Sequence, residues 1–268
     1  MVRDLVQALT GGLIGGSVYI KRDPPFLDCI ASQAATCKTH WPLLPMHSPL
    51  DSSSQGAAYH TKSILLVRNP IRAFASRLNH LWEVKAGVQA HTQQAPEQYW
   101  NKWIQKNWKQ QVKTYRELIE TWSMPMRMLH NNESFPFPVG LVLAYEDLTR
   151  NKDVEGNNTV TTTTGVMAAQ RLVDVLHQAN ARVVVGKESI ACLWRHVVVD
   201  RPKMKRSGHK YTPGYIVAIK NKILEMLETQ LLPGLQQEAQ QSPVHQELIR
   251  LLEGYAKHIQ EHTRIIAP

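Results

Sequence analysis

Ser63-Ile64-Leu65-Leu66-Val67-Arg68-Asn69-Pro70, with Ser76 eight residues beyond the arginine, is the stretch that decides the fold. Ile64 to Val67 is a short, uninterrupted apolar run of the kind required by a parallel strand buried on both faces. Asn69 suits a helix cap, and Pro70 suits the first helical position, where a missing N–H costs nothing. The stretch therefore predicts a strand running straight into a helix, and with it an α/β fold. Such a helix start presents free N–H groups and the positive end of the helix dipole, both favourable to phosphate, and Arg68 adds a fork of donors beside them. Ser76 lies two turns further along. A salt-bridged turn accounts for Arg-Asn-Pro equally well, so the neighbouring segments have to decide.

Three of them carry chemistry-bearing residues. Val139 to Ala144, apolar and preceded by Pro138, predicts a second buried strand, with Tyr145-Glu146-Asp147-Leu148 at its end. The acidic pair there suits capping or holding a basic neighbour. Upstream, Thr36-Cys37-Lys38-Thr39-His40-Trp41-Pro42 places a lysine two residues before a histidine, which on an extended strand puts both on one side. A surface histidine beside a lysine in a Pro-rich loop is the bland alternative in a chain with 12 His. Downstream, Lys203-Met204-Lys205-Arg206-Ser207-Gly208 combines clustered cations with a glycine, which lets the backbone approach an anion closely. A solvated basic loop is the alternative there.

Taken in order, these segments resemble sulfotransferases that use 3'-phosphoadenosine 5'-phosphosulfate (PAPS). Arg68-Asn69-Pro70 with Ser76 resembles the family's 3'-phosphate-binding segment, Lys38-Thr39-His40 its catalytic-histidine segment, and Arg206-Ser207-Gly208 its late loop over the same phosphate. Tyr145-Glu146-Asp147-Leu148 is similar to the segment that ends a core strand. Met1 to Gly11, followed by Gly15-Gly16-Ser17-Val18-Tyr19, resembles the first helix and its sequel in the branch related to WSC-domain-containing proteins. The family carries a strand and a Gly-rich 5'-phosphosulfate loop just before that helix, and this chain begins about where that loop ends. The resemblance covers most of the chain and implies a P-loop NTPase-like, three-layer α/β fold. It further implies a parallel central sheet and an N-terminally truncated domain without its first strand and phosphate loop.

The implied activity is transfer of a sulfuryl group from PAPS to a hydroxyl, with a carbohydrate or glycoconjugate as acceptor and no metal. By resemblance His40 is the general base and Lys38 the charge stabiliser. Arg68, Ser76 and Arg206 bind the 3'-phosphate, with Ser207 and Gly208 completing that site. A hydroxyl is a poor nucleophile at neutral pH, so an imidazole suits the first role. Charge developing at the transferred group explains the second. Without the phosphate loop's donors, a catalytically inactive nucleotide-binding remnant that serves as an interaction protein is the alternative. Gly11-Gly12 and Gly15-Gly16 read as flexible turns rather than as a replacement loop.

Bulk properties agree with one domain spanning 1–268. At 268 residues and 43% hydrophobic content the chain can bury one substantial core. Its 31 Lys and Arg against 22 Asp and Glu give +9, which attracts an anionic nucleotide or glycan. A basic nucleic-acid binder satisfies the same charge, but neither zinc-finger spacing nor an RNA-recognition pattern accompanies it, and no nucleic acid is expected. Cys29, Cys37 and Cys192 fit neither a disulfide framework nor a tetrahedral zinc site. The sequence shows no signal peptide and no apolar run long enough to span a membrane. A Golgi location follows by family if an N-terminal anchor precedes this chain, and a cytoplasmic one otherwise. Asn132-Glu133-Ser134 and Asn157-Asn158-Thr159 are sequons that matter only on the secretory route.

The rest reads as helical. Trp82 and the aromatics from Tyr99 to Trp122 punctuate a polar stretch from about Ala95, as the core face of a helix does. Asn151 to Gly165, Asn- and Thr-rich, reads as a mobile surface insertion. Helices are predicted over Val166–Ala179 and Lys187–His196, then from Pro213 to Leu231 with a stop at Pro233-Gly234. A last one runs from Pro243 to about Ile259.

Overall fold

The computed structural model describes residues 2–11, 14–18, 36–39, 63–89, 92–128, 139–149, 164–179, 181, 183–200, 213–237 and 243–262. The described residues are mostly helical, with parallel strands in two separate pairs. They fall into two compact units, each discontinuous in sequence. The first holds residues from Met1–Val67 and Met128–Arg201, and the second holds residues from Arg68–Arg127 and Pro202–Pro268.

In the first unit, α1 (Val2–Thr10) buries Leu5, Val6 and Leu9 along one face. It stops at Gly11, whose left-handed φ of 63° a side chain would resist. β1 (Ile14–Val18) and β2 (Thr36–Thr39) pair in parallel, with Ser17 opposite Lys38. Gly15 and Gly16 are therefore strand residues and not a turn. Pairing of Ile14, Ser17 and Val18 with β2 decides this, the register shifting across the two glycines between Ile14 and Ser17, and glycine, having no side chain, leaves no trace of it in a hydrophobic pattern.

β3 (Ser63–Val67) pairs in parallel with β4 (Val139–Ala144), so that Val67 faces Ala144 where both strands end. β4 is buried at five of its six positions and enters the five-residue helix α4 (Tyr145–Thr149) without a linker. α5 (Thr164–Gln178) covers the unit's core with Val166, Ala169, Leu172, Val173 and Leu176. This helix begins inside the Thr-rich segment read as an insertion, and residues 151–163 lie outside the described residues. A 3₁₀ turn (Lys187–Ser189), α6 (Ile190–Trp194) and a π-wound turn (Arg195–Val199) follow as one helical run.

Trp194 closes this core. Its indole N–H donates to the Leu148 carbonyl at 3.0 Å, and its ring lies where a β-carbon at residue 165 would stand, so Gly165 is needed there. Arg171 ties α5 to β4 by donating to the Val142 carbonyl at 3.2 Å. The Val184 N–H donates to the Leu9 carbonyl at 2.9 Å, satisfying one of the acceptors left open at the end of α1.

In the second unit, α2 (Pro70–Ala86) buries Ile71, Phe74, Ala75, Leu78, Asn79 and Glu83. It ends at Gly87 in the left-handed region, φ 68°, with a Schellman-type pair of bonds. The two polar members of its buried face organise the next connection. Asn79 Oδ1 accepts the Ala95 N–H at 2.8 Å and Glu83 Oε1 accepts the Gln93 N–H at 3.0 Å. These bonds lead into α3 (Glu97–Met128), a 32-residue helix that extends past the aromatic stretch ending at Trp122.

α7 (Pro213–Glu225) continues through a π-wound segment (Met226–Leu231) into α8 (Leu232–Gln236). Pro233-Gly234 does not end this run. The π turn lets the helix restart at Leu232, and Pro233 then occupies the first turn of α8, where its missing N–H is no loss. α3 and this run lie parallel with a steady offset of 114 or 115 residues. Trp100 meets Tyr215, Trp108 lies under Lys222, and Arg116 donates to Gln230. α9 (Pro243–His262) packs on α7 and α8, burying Leu248, Leu252, Tyr255 and Ile259.

Candidate anion-binding site

Arg68 and Asn69 form a two-residue link between the end of β3 and the head of α2. Asn69 (φ −50°, ψ 122°) accepts the Ile71 N–H on Oδ1 at 3.1 Å, and its carbonyl accepts the Ala73 N–H at 2.8 Å, the first bond of the helix. The sequence-based expectation of a capped helix starting on Pro70 is met. No carboxylate occupies the first turn, so the positive end of the dipole is not already neutralised by the helix's own side chains.

The amide supply is narrower than the sequence implied. Pro70 has no N–H and the cap consumes that of Ile71. In the first turn this leaves the Arg72 N–H, which has no acceptor among the described residues. An anion at this end is therefore served by the Arg68 guanidinium, one amide and the dipole, not by a cradle of several N–H groups. Arg68 and Ser76 are half-buried, while Arg72 and Arg77 are exposed. Ser76 stands four residues after Arg72 on the same helical face, about 9 Å along the axis from Pro70.

Two tyrosines hold this turn from other helices. The Tyr115 hydroxyl, from α3, donates to the Arg68 carbonyl at 3.0 Å, and its ring meets Phe74 edge-on at 5.8 Å. The Tyr215 hydroxyl, from α7, donates to the Ile71 carbonyl at 2.9 Å, and its ring meets Trp100 edge-on at 4.8 Å. Trp100 in turn donates to the Ala95 carbonyl at 3.0 Å, the residue whose N–H Asn79 holds. Sequence reasoning counted Tyr115 only as one aromatic of a core face and did not single out Tyr215. The available signal was chemical, since a tyrosine at a buried helical position needs a partner for its hydroxyl and phenylalanine does not.

The other site residues separate as follows. Lys38 lies on β2 in the first unit. His40, Arg206, Ser207 and Gly208 lie outside the described residues. The sequons at Asn132 and Asn157 do so too. Cys192 carries an exposed free thiol. Among the described residues no group of three His, Cys, Asp or Glu is placed to hold a metal ion, and no helix is long and apolar enough to cross a membrane. Trp100, Trp103 and Tyr115 are core residues, and Lys222 sits 3.7 Å from the Trp108 ring centroid, covering that face. Comparisons with protein-family models, curated proteins and solved structures found no match to this chain.

Proposed function

We propose that this chain is a PAPS-dependent sulfotransferase of the P-loop-related α/β class, acting on a hydroxyl of a carbohydrate or glycoconjugate. The observation that supports this reading most is the β3–α2 junction, where a parallel strand buried at Leu65 and Val67 delivers Arg68 to the head of an Asn69-capped helix with no acidic residue in its first turn. Sulfuryl transfer, like phosphoryl transfer, depends on positioning and charge stabilisation, so a site for the donor's 3'-phosphate anchors the reacting end. Arg68 and Ser76 supply that anchor, and Arg206, with the Ser207 and Gly208 backbone, adds a second cation to it. The bond from sulfur to the phosphate oxygen of PAPS breaks as the acceptor oxygen bonds to sulfur. The acceptor's proton goes to His40, and Lys38 offsets charge on the sulfuryl oxygens.

The test is release of adenosine 3',5'-bisphosphate from PAPS by the purified chain in the presence of a mixed glycoconjugate acceptor, beside His40→Ala and Lys38→Ala. Release that both variants abolish supports the transferase. Binding of the bisphosphate without any release supports the second reading, a nucleotide-binding interaction protein. Neither binding nor release contradicts both.

A further inference from the structure

We infer that Tyr115 and Tyr215 are positioning residues for the anion site at the head of α2, setting its geometry through the backbone without touching the anion. This rests on the nucleotide-binding reading above for the identity of the anion, but the clamp itself is a property of the fold. The two hydroxyls donate to the carbonyls of Arg68 and Ile71, on either side of the capping residue and three positions apart. They arrive from α3 and α7, helices that are themselves locked in parallel register by the contacts at Trp100, Trp108 and Arg116.

The geometry matters because donors are scarce. With the amide of Pro70 missing and that of Ile71 consumed, the Arg72 N–H and the Arg68 side chain must both point correctly for either to serve an anion. The orientation of both is set by the φ and ψ angles between residues 68 and 72. Fixing the carbonyls at residues 68 and 71 fixes that span at both ends. Tyr215 is fully buried and Tyr115 7% exposed, so water does not replace either hydroxyl readily, and each ring is braced edge-on by Phe74 or Trp100. The Asn69 cap and the two phenols together give the Ile71 donor and the Arg68, Asn69 and Ile71 carbonyls defined partners.

Tyr115→Phe, Tyr215→Phe and the double variant keep the rings and remove only the hydroxyls. Each is titrated with adenosine 3',5'-bisphosphate and with 5'-AMP, and amide hydrogen exchange is measured on the free proteins. In each single variant the dissociation constant for the bisphosphate is expected to rise severalfold and by no more than about tenfold, since the weight of one buried neutral hydrogen bond is the ceiling on what its loss can misorient, with that for 5'-AMP unchanged. In the double variant the Ala73 amide, bonded to the Asn69 carbonyl inside the clamped span, is expected to exchange about tenfold faster, with those of Leu78 to Glu83 unaltered. A lower unfolding temperature with an unchanged preference for the bisphosphate and unchanged exchange at the helix head means a purely structural role and overturns the inference. If the natural chain shows no preference for the 3'-phosphate, the nucleotide reading fails. The exchange result then decides the clamp alone, faster exchange upholding it and unchanged exchange overturning it.

Discussion

β3 and β4 end side by side, Val67 opposite Ala144, and each runs into a helix, yet the two junctions are built with opposite charge logic. After β3 come Arg68 and a capping asparagine, then a 17-residue helix with no acid in its first turn. After β4 the chain enters a five-residue helix at once, with Glu146 and Asp147 in the first turn and Leu148 fully buried beneath them. Acidic side chains in a first turn complement the positive end of the dipole and disfavour an external anion there, and the first junction has none. A strand end becomes a candidate site through the charges its following residues place there, and topology alone does not create one.

Four variants probe that contrast. The largest effect is expected from Leu148→Ala, which removes a fully buried side chain from the β4 junction. It should cost about 2–5 kcal/mol of stability in a denaturant titration while leaving nucleotide affinity per folded molecule intact. Arg68→Ala should do the reverse, weakening bisphosphate binding by about 1.5–3 kcal/mol, the range for hydrogen bonds to charged groups, with little change in the unfolding midpoint. Asn69→Ala removes the cap and should cost about 1 kcal/mol of stability, read from the same denaturant curves. The smallest effect belongs to Glu146→Gln with Asp147→Asn. Loss of the dipole complement should cost about 0.3–1 kcal/mol per charge at low salt and leave bisphosphate binding unchanged, which calorimetry checks. Tighter nucleotide binding in that last variant would erase the contrast between the junctions.

Much of this architecture was legible in the sequence for identifiable reasons. Both strands are short apolar runs, although only β4 is buried along its length and β3 leaves Leu66 exposed, and Asn69-Pro70 and Pro243 announce helix starts because proline fits a first turn and little else. The head of α2 was legible for the same reason. What escaped was decided by contacts distant in sequence. Gly15 and Gly16 lie within β1 where its register against β2 shifts between Ile14 and Ser17, and the helix run survives Pro233 because a π turn precedes it. The spent amide of Ile71 and the two tyrosine hydroxyls belong to the same class, being three-dimensional consequences of residues that read locally as a cap and as core aromatics.

The central claim is that the head of α2 holds the 3'-phosphate of an adenosine nucleotide, and calorimetric titration of the purified chain with adenosine 3',5'-bisphosphate beside 5'-AMP tests it most directly. The account predicts binding of the bisphosphate at least about tenfold tighter than 5'-AMP, a difference of about 1.4 kcal/mol, with the preference lost in Arg68→Ala combined with Arg206→Ala. Equal affinity for the two nucleotides, or a preference that survives the loss of both arginines, would contradict it.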